Sequence, residues 1–301
     1  MHLNPAFQRF CYVACLATLL ALRSVGQVSA VGSDHGDRLC ALKLRHPTKL
    51  RIHGASPDRY EKDLPEGVEL VHYSGNGRQL LAWLARPVGP GLHPAVLYAH
   101  HGFALSHVDF EDARPFVTAG YLVLMPAWRA ENGNAGEFQR YFGEVDDACE
   151  ALQYLNKIPG VDPKRVFAAG DTMGGTTMLL LAESDVDVRL RMVAACSAFP
   201  DINEAIERGL TPQRKLFPYD FKDTLENEMR SPGRHLQDLD CPIRLYNSES
   251  DVLYVRQAGL LVNLAHNYGK DVTSSVYPHT SQRTVVSLAI RAMIREFDAC
   301  R

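Results

Sequence analysis

Short runs of unbroken apolar residues, each followed by a longer segment of helical character, constrain this chain more than any other feature. "HPAVLYAHHG" (93–102), "YLVLMPAWR" (121–129), "RVFAAGDT" (165–172) and "RMVAACSAF" (191–199) carry no charged or amide side chain through their middles. A half-exposed strand alternates polar with apolar residues, whereas a strand apolar on both faces is covered on both. Between the first two runs lies "DFEDARPFVTAG", a short helix closed by Gly120. Before the third lies "VDDACEALQYLNKI", where Val145, Ala148, Leu152 and Leu155 share one helical face and Asp146 and Asp147 sit in the first turn. "MGGTTMLLLAES" reads as a helix apolar nearly all round. Then come the strand "CPIRLYNSES", the helix "YVRQAGLLVNLAHNYG", the strand "DVTSSVYP" and the helix "VVSLAIRAMIREFDAC". Ahead of them all, "GVELVHYSGNGRQLLAWLARP" reads as two strands joined at Asn76-Gly77, a hairpin signal. The pattern predicts an α/β fold: an eight-stranded, mostly parallel sheet, doubly wound by right-handed crossovers, with helices on both faces.

Two stretches break the alternation. Residues 200 to 240 are polar, with prolines and aromatics, and are expected to form a helical insertion over the ligand-binding end of the sheet. Residues 31 to 64 read as a polar, partly ordered lead-in to a domain at 65–301. The first thirty residues differ again: residues 10 to 22, "FCYVACLATLLAL", are apolar without a break, and Val28-Ser29-Ala30 is small enough for cleavage before Val31. The run is shorter than the roughly 20 residues that span a bilayer. The expectation is a signal peptide over 1–30 and a secreted or periplasmic protein, with a retained anchor at 10–22 as the alternative.

Charge excludes one class of partner. The formal net charge is -3, and with Arg9 and Arg23 removed the 30 basic residues left face 35 acidic ones, a balance of -5. No Lys/Arg stripe stands out, so no nucleic-acid partner is expected. Beyond residue 30 the cysteines are Cys40, Cys149, Cys196, Cys241 and Cys300, without metal-ligand spacing. His100 and His101 are neighbours on a strand and point opposite ways. No metal and no cofactor is expected. Export would permit a Cys40–Cys300 bond.

"GDTMGGTT" (170–177) joins an apolar strand to an apolar helix and has the shape G-x-S-x-G, a nucleophile elbow, with Thr172 where the serine stands. Gly170, Gly174 and Gly175 let strand and helix approach. The element order and four stretches, "YAHHGF", "GYLVLMPAWR", "VFAAGDTMGG" and "YNSESDVLYVRQA", resemble the α/β-hydrolase fold over about residues 66 to 299. Within it the chain is most similar to the branch of dienelactone-hydrolase-type esterases and prolyl-oligopeptidase-type catalytic domains. The resemblance implies an ester or amide hydrolase acting on a small molecule or peptide. It implies a nucleophile at 172, oxyanion donors at the N–H groups of Met173 and Phe103, and a triad carboxylate at Asp251, with Glu249 as fallback. Asp251 alternatively caps the following helix. Members of the branch commonly carry the base four residues after a Pro at the end of the eighth strand. Here that position is Gln282, and His279 directly follows Pro278. Arg129 either holds a substrate carboxylate or buttresses its loop.

Two readings stay open at this point. One is a hydrolase working through Thr172, His279 and Asp251. The other is a silent relative that binds without turnover, because a β-branched residue is disfavoured at a strained elbow, glutamine does not titrate, and Asp171 brings negative charge towards a developing oxyanion.

Overall fold

The structure is a computed structural model, and it describes residues 38 to 300 apart from 59, 61, 62, 76 and 209–213. The expected signal peptide, and the first part of the lead-in, lie outside the described residues. The strands are β1 (Val68–Gly75), β2 (Arg78–Ala85), β3 (His93–Ala99), β4 (Leu122–Pro126), β5 (Val161–Asp171), β6 (Val193–Cys196), β7 (Ile243–Ser248) and β8 (Val272–Tyr277). They form one eight-stranded sheet in the order β1-β2-β4-β3-β5-β6-β7-β8. β2 runs antiparallel to β1 and to β4, and every later pairing is parallel. This is the mostly parallel eight-stranded sheet that the apolar runs predict, in the α/β-hydrolase arrangement that the resemblance implies. Gly75 pairs with Arg78 across the two-residue turn, and Gly77 takes φ +77°, a conformation that glycine adopts without strain. Asn76 lies outside the described residues.

Each buried strand feeds two cores, because successive side chains leave a strand on opposite faces. Ala95, Leu97 and Ala99 of β3 enter one apolar cluster, with Leu152 and Leu155 of helix α3 (Phe142–Lys157). Val96 and Tyr98 enter the other, with Phe110 and Phe116 of α2 (His107–Thr118) and Val286, Ile290 and Phe297 of α8 (Gln282–Ala299). Phe167 of β5 stacks on Phe297 with ring centroids 4.3 Å apart.

The lead-in is more firmly placed than its polarity suggests. Helix α1 (Leu39–Arg45) buries Leu39 in a third cluster with Tyr141, Leu180 and Phe217. Lys43 of α1 donates to the carbonyl of Phe142 at 2.7 Å and pairs with Asp146. The described residues of 200–240 form α5 (Ile202–Glu207), α6 (Thr224–Glu228) and three single 3-10 turns. Arg230 is fully buried and ties these pieces together. Its guanidinium donates to Glu226, to the carbonyls of Gln139 and Arg140, and to Thr48 of the lead-in, and it stacks over Tyr219 at 3.9 Å. The elbow helix α4 (Met173–Ala182), α7 (Val252–Asn267) and α8 complete the covering layers. The described cysteines are all free, Cys40 and Cys300 included, so the bond that export would permit is not formed. No described helix is long and apolar enough to cross a membrane.

Candidate active site

β5 delivers Thr172 to a sharp turn before α4. Thr172 has φ 52° and ψ -102°, outside the regions open to a β-branched residue without strain. Strain of this kind is worth about 1–3 kcal/mol, and the hydrogen bonds of the turn hold it. The Thr172 N–H donates to the carbonyl of Cys196 on β6 at 2.8 Å. Its carbonyl accepts from the N–H and the hydroxyl of Thr176, at 3.1 and 3.2 Å. The glycines make the close approach possible. A Cβ on Gly174 would lie 2.2 Å from the carbonyl oxygen of Ala99, and one on Gly170 would lie 2.5 Å from Gly174.

Gln282 is the first residue of α8, and its side-chain Nε2 donates to the Thr172 hydroxyl at 3.3 Å. The same nitrogen lies 3.4 Å from the Tyr254 hydroxyl of α7. Ser281 fixes this helix end by accepting from the N–H of Thr284 at 3.2 Å. His279 sits one turn of loop earlier, exposed, at φ 56°, just beyond the edge strand β8. Its backbone N–H reaches Glu249 at 3.4 Å, and its ring makes no hydrogen bond to Thr172. Asp251 occupies the cap position of α7, yet its side chain makes no capping bond. Its Oδ2 is buried without a partner, and desolvation raises its pKa.

On the other flank, Met173 opens α4, so its N–H has no partner within the helix. The N–H of Phe103 is engaged: it donates to the Asp58 carboxylate at 3.0 Å. His100 and His101 lie just past the end of β3, outside the strand on which they were expected, and find different partners. His100 is buried against Glu131 at 2.9 Å; burial would lower its pKa, but the Glu131 carboxylate outweighs this and raises it. His101 bonds Asp109 at 2.5 Å, which raises its pKa. Burial works against charge on Asp109, but bonds from His101 and Ser106 prevail and hold it at about 2.

Of the two readings open for Arg129, the structure shows the buttress. Its guanidinium meets the carboxylate of Asp147 on α3 at 2.9 and 2.6 Å, and its backbone N–H meets the same group at 2.9 Å. Both side chains are buried, so Arg129 buttresses the loop after β4 and has no free fork for a ligand carboxylate. Sequence reasoning missed Asp147 as its partner, although both aspartates at the start of α3 were in view. It also missed Asp58, Tyr254 and Arg230, whose roles arise from contacts distant in sequence.

Two carboxyls near the elbow are held away from their ordinary range. Burial raises Asp171 to about 6, against the pull of His101 and of the neighbouring Cys196 and Thr172 side chains. Glu144 is raised by burial to about 7; its Oε1 accepts from the N–H of Gln139 at 2.7 Å, and its Oε2 is buried without a partner. Glu144, Glu131, Trp128, Gly102 and Met173 border a cavity of about 10 Å³, room for one water at most.

Comparison with known proteins agrees with the fold. Residues 51–274 match the family model of the X-Pro dipeptidyl-peptidases (S15 family), and the chain belongs to that family. It is 28% identical over 198 residues to the uncharacterized peptidase YtmA of Bacillus subtilis (strain 168), which covers 60% of this chain and 72% of that protein. Among solved structures it is similar to the acylaminoacyl peptidase of Pyrococcus horikoshii, with a TM-score of 0.62 and 14% identity. That match covers 76% of this chain and 40% of the peptidase, so the chain spans about two fifths of that relative's length. The esterase of Pyrobaculum calidifontis matches with a TM-score of 0.61 and 20% identity, over 78% of this chain and 87% of the esterase. At these identities the structural matches show the fold. The family model and the sequence relative make the chain a peptidase- and esterase-like α/β-hydrolase family member.

Proposed function

We propose that this X-Pro dipeptidyl-peptidase family member is a silent hydrolase: it keeps the elbow and binds small carbonyl compounds or peptides, but does not turn them over. One observation carries the reading, the Gln282 amide 3.3 Å from the Thr172 hydroxyl. A working base must accept the hydroxyl proton as the oxygen attacks. The group that faces Thr172 is an N–H donor on an amide that does not titrate near neutral pH. Thr172 adds a methyl to a strained turn. Asp251, the family's orienting carboxylate, stands without an imidazole to orient. These features support a degenerate triad of Thr172, Gln282 and Asp251. The apolar run at residues 10–22 supports export as its setting, and a mature N-terminus near Val31 is the expected product.

The test is turnover of p-nitrophenyl acetate by the purified wild-type protein beside His279→Ala and Gln282→Ala. All three are expected to run at the rate of a Thr172→Ala control. A wild-type rate well above that control, abolished by His279→Ala and kept by Gln282→Ala, would instead make Thr172, His279 and Asp251 a working triad.

A further inference from the structure

We propose that Asp58 is a built-in occupant of the oxyanion position, so that the lead-in closes the site from within. The inference rests on the Phe103 N–H being the second oxyanion donor of the fold, and not on the absence of turnover. A backbone N–H points in one direction and serves one strong acceptor. The Phe103 N–H already serves Asp58 Oδ2 at 3.0 Å, within ordinary hydrogen-bond range. An incoming carbonyl oxygen that used this donor would have to stand where that carboxylate oxygen stands. The carboxylate also brings negative charge to the place where an oxyanion develops, so it opposes the charge that the pocket is shaped to receive.

The strap that carries Asp58 is fastened at several points. The N–H groups of Arg51 and Ile52 donate to the carbonyl of Pro218 in the 200–240 insertion. The N–H of Phe138 donates to the carbonyl of Gly54 at 3.0 Å, and the N–H of Ser56 donates to the carbonyl of Ala130 at 3.0 Å. The Ser56 hydroxyl donates to the carbonyl of Phe103, the residue whose N–H Asp58 takes. Ser56 and Asp58 thus hold both backbone groups of Phe103. Gly102 gives the carboxylate its room, since a Cβ there would come within 3.2 Å of Asp58 Oδ2. Asp58 itself is exposed, so it can leave without opening the core.

The experiment follows the Phe103 amide in protein labelled with 15N-phenylalanine, wild type against Asp58→Ala, with methylphosphonate as a tetrahedral oxyanion mimic. In the wild type the amide should be protected from hydrogen exchange and unmoved by the mimic. In Asp58→Ala it should lose protection and shift saturably as the mimic is added. A wild-type amide that responds as Asp58→Ala does, or an Asp58→Ala amide that never responds, would overturn the proposal. A second readout uses Thr172→Ser with Gln282→His. If that double variant turns over esters, adding Asp58→Ala should raise its kcat by roughly the 10²-fold that one oxyanion donor is worth. No rise would overturn the plug. If the double variant turns over nothing, it is the degenerate-triad reading that fails, and the amide decides the plug alone.

Discussion

Replacing Thr172 by Ser together with Gln282 by His should create esterase activity that neither change creates alone. The side-chain Nε2 of glutamine and the Nε2 of histidine stand the same number of bonds from Cα. A histidine at 282 therefore places its nitrogen near the point now held at 3.3 Å from the hydroxyl. Unlike the amide, that nitrogen accepts a proton. Its Nδ1–H is expected to turn to Asp251, whose Oδ2 is buried without a partner and whose raised pKa should fall once an imidazolium can form beside it. Serine at 172 removes the methyl from a residue held at φ 52° and ψ -102°. Positioned general bases contribute about 10²–10⁴-fold, and nucleophile and base act as a unit. Each single variant should stay within about tenfold of background, and the double variant should exceed the product of the singles by at least about 10²-fold. That surplus is a coupling of about 2.7 kcal/mol. The assay is kcat/KM for p-nitrophenyl acetate over the four corners of the cycle. Additive effects, or a double variant no faster than background, would refute the claim that position 282 holds the place of the base.

Three other outcomes follow from the geometry. Asp147→Ala leaves the Arg129 guanidinium buried without its carboxylate; the loss should be about 3–5 kcal/mol, read as a fall in Tm of roughly 6–20 °C, and a fall under about 3 °C would contradict the buttress. Gly174→Ala sets a Cβ 2.2 Å from the Ala99 carbonyl and should yield no stably folded protein, whereas Gly259→Ala, on α7 with nothing within 4 Å, should gain up to about 1 kcal/mol in a melt. Glu144 keeps its proton in the folded chain up to about pH 7 and releases it near 4.5 when unfolded, so its contribution to stability is complete below 4.5 and is lost as pH rises towards 7. The Tm of Glu144→Gln relative to wild type should therefore climb across that window and level off above it; a flat difference would rule out a buried neutral carboxyl.

The fold was legible because the sheet is buried on both faces. A strand such as "AVLYA" must be apolar at every position when alternate side chains enter two different cores, as Leu97 and Tyr98 do. Gln282 was legible only through the resemblance, which implies a base four residues after Pro278. Asp58 was not legible. It lies in a polar lead-in with no periodicity, and its contact spans 45 positions to Phe103. Arg129 stayed between two readings for a related reason. A sequence shows a cation near a site, but only packing decides which carboxylate of two neighbours, Asp146 or Asp147, satisfies it. Asp147 is fully buried against Arg129, while Asp146 looks outward to Lys43.

The elbow shows that a motif's glycines are held by the fold, whatever residue stands at its tip. Gly170, Gly174 and Gly175 are required by the approach of α4 to β3, β5 and β6: added Cβ atoms would strike Gly174, the carbonyl of Ala99 and the carbonyl of Cys196 respectively. That constraint comes from the crossing of helix and sheet, and it holds whatever residue stands at 172. The reacting groups face no such constraint. Gln282 is exposed at a helix start and His279 is exposed in a loop, so nothing in the core resists exchange there. Positions 279 and 282 can drift while the glycines cannot. The glycine pattern therefore reports the fold, and the side chains within hydrogen-bond reach of Thr172 report the chemistry. Here those side chains include an amide donor that cannot serve as a base.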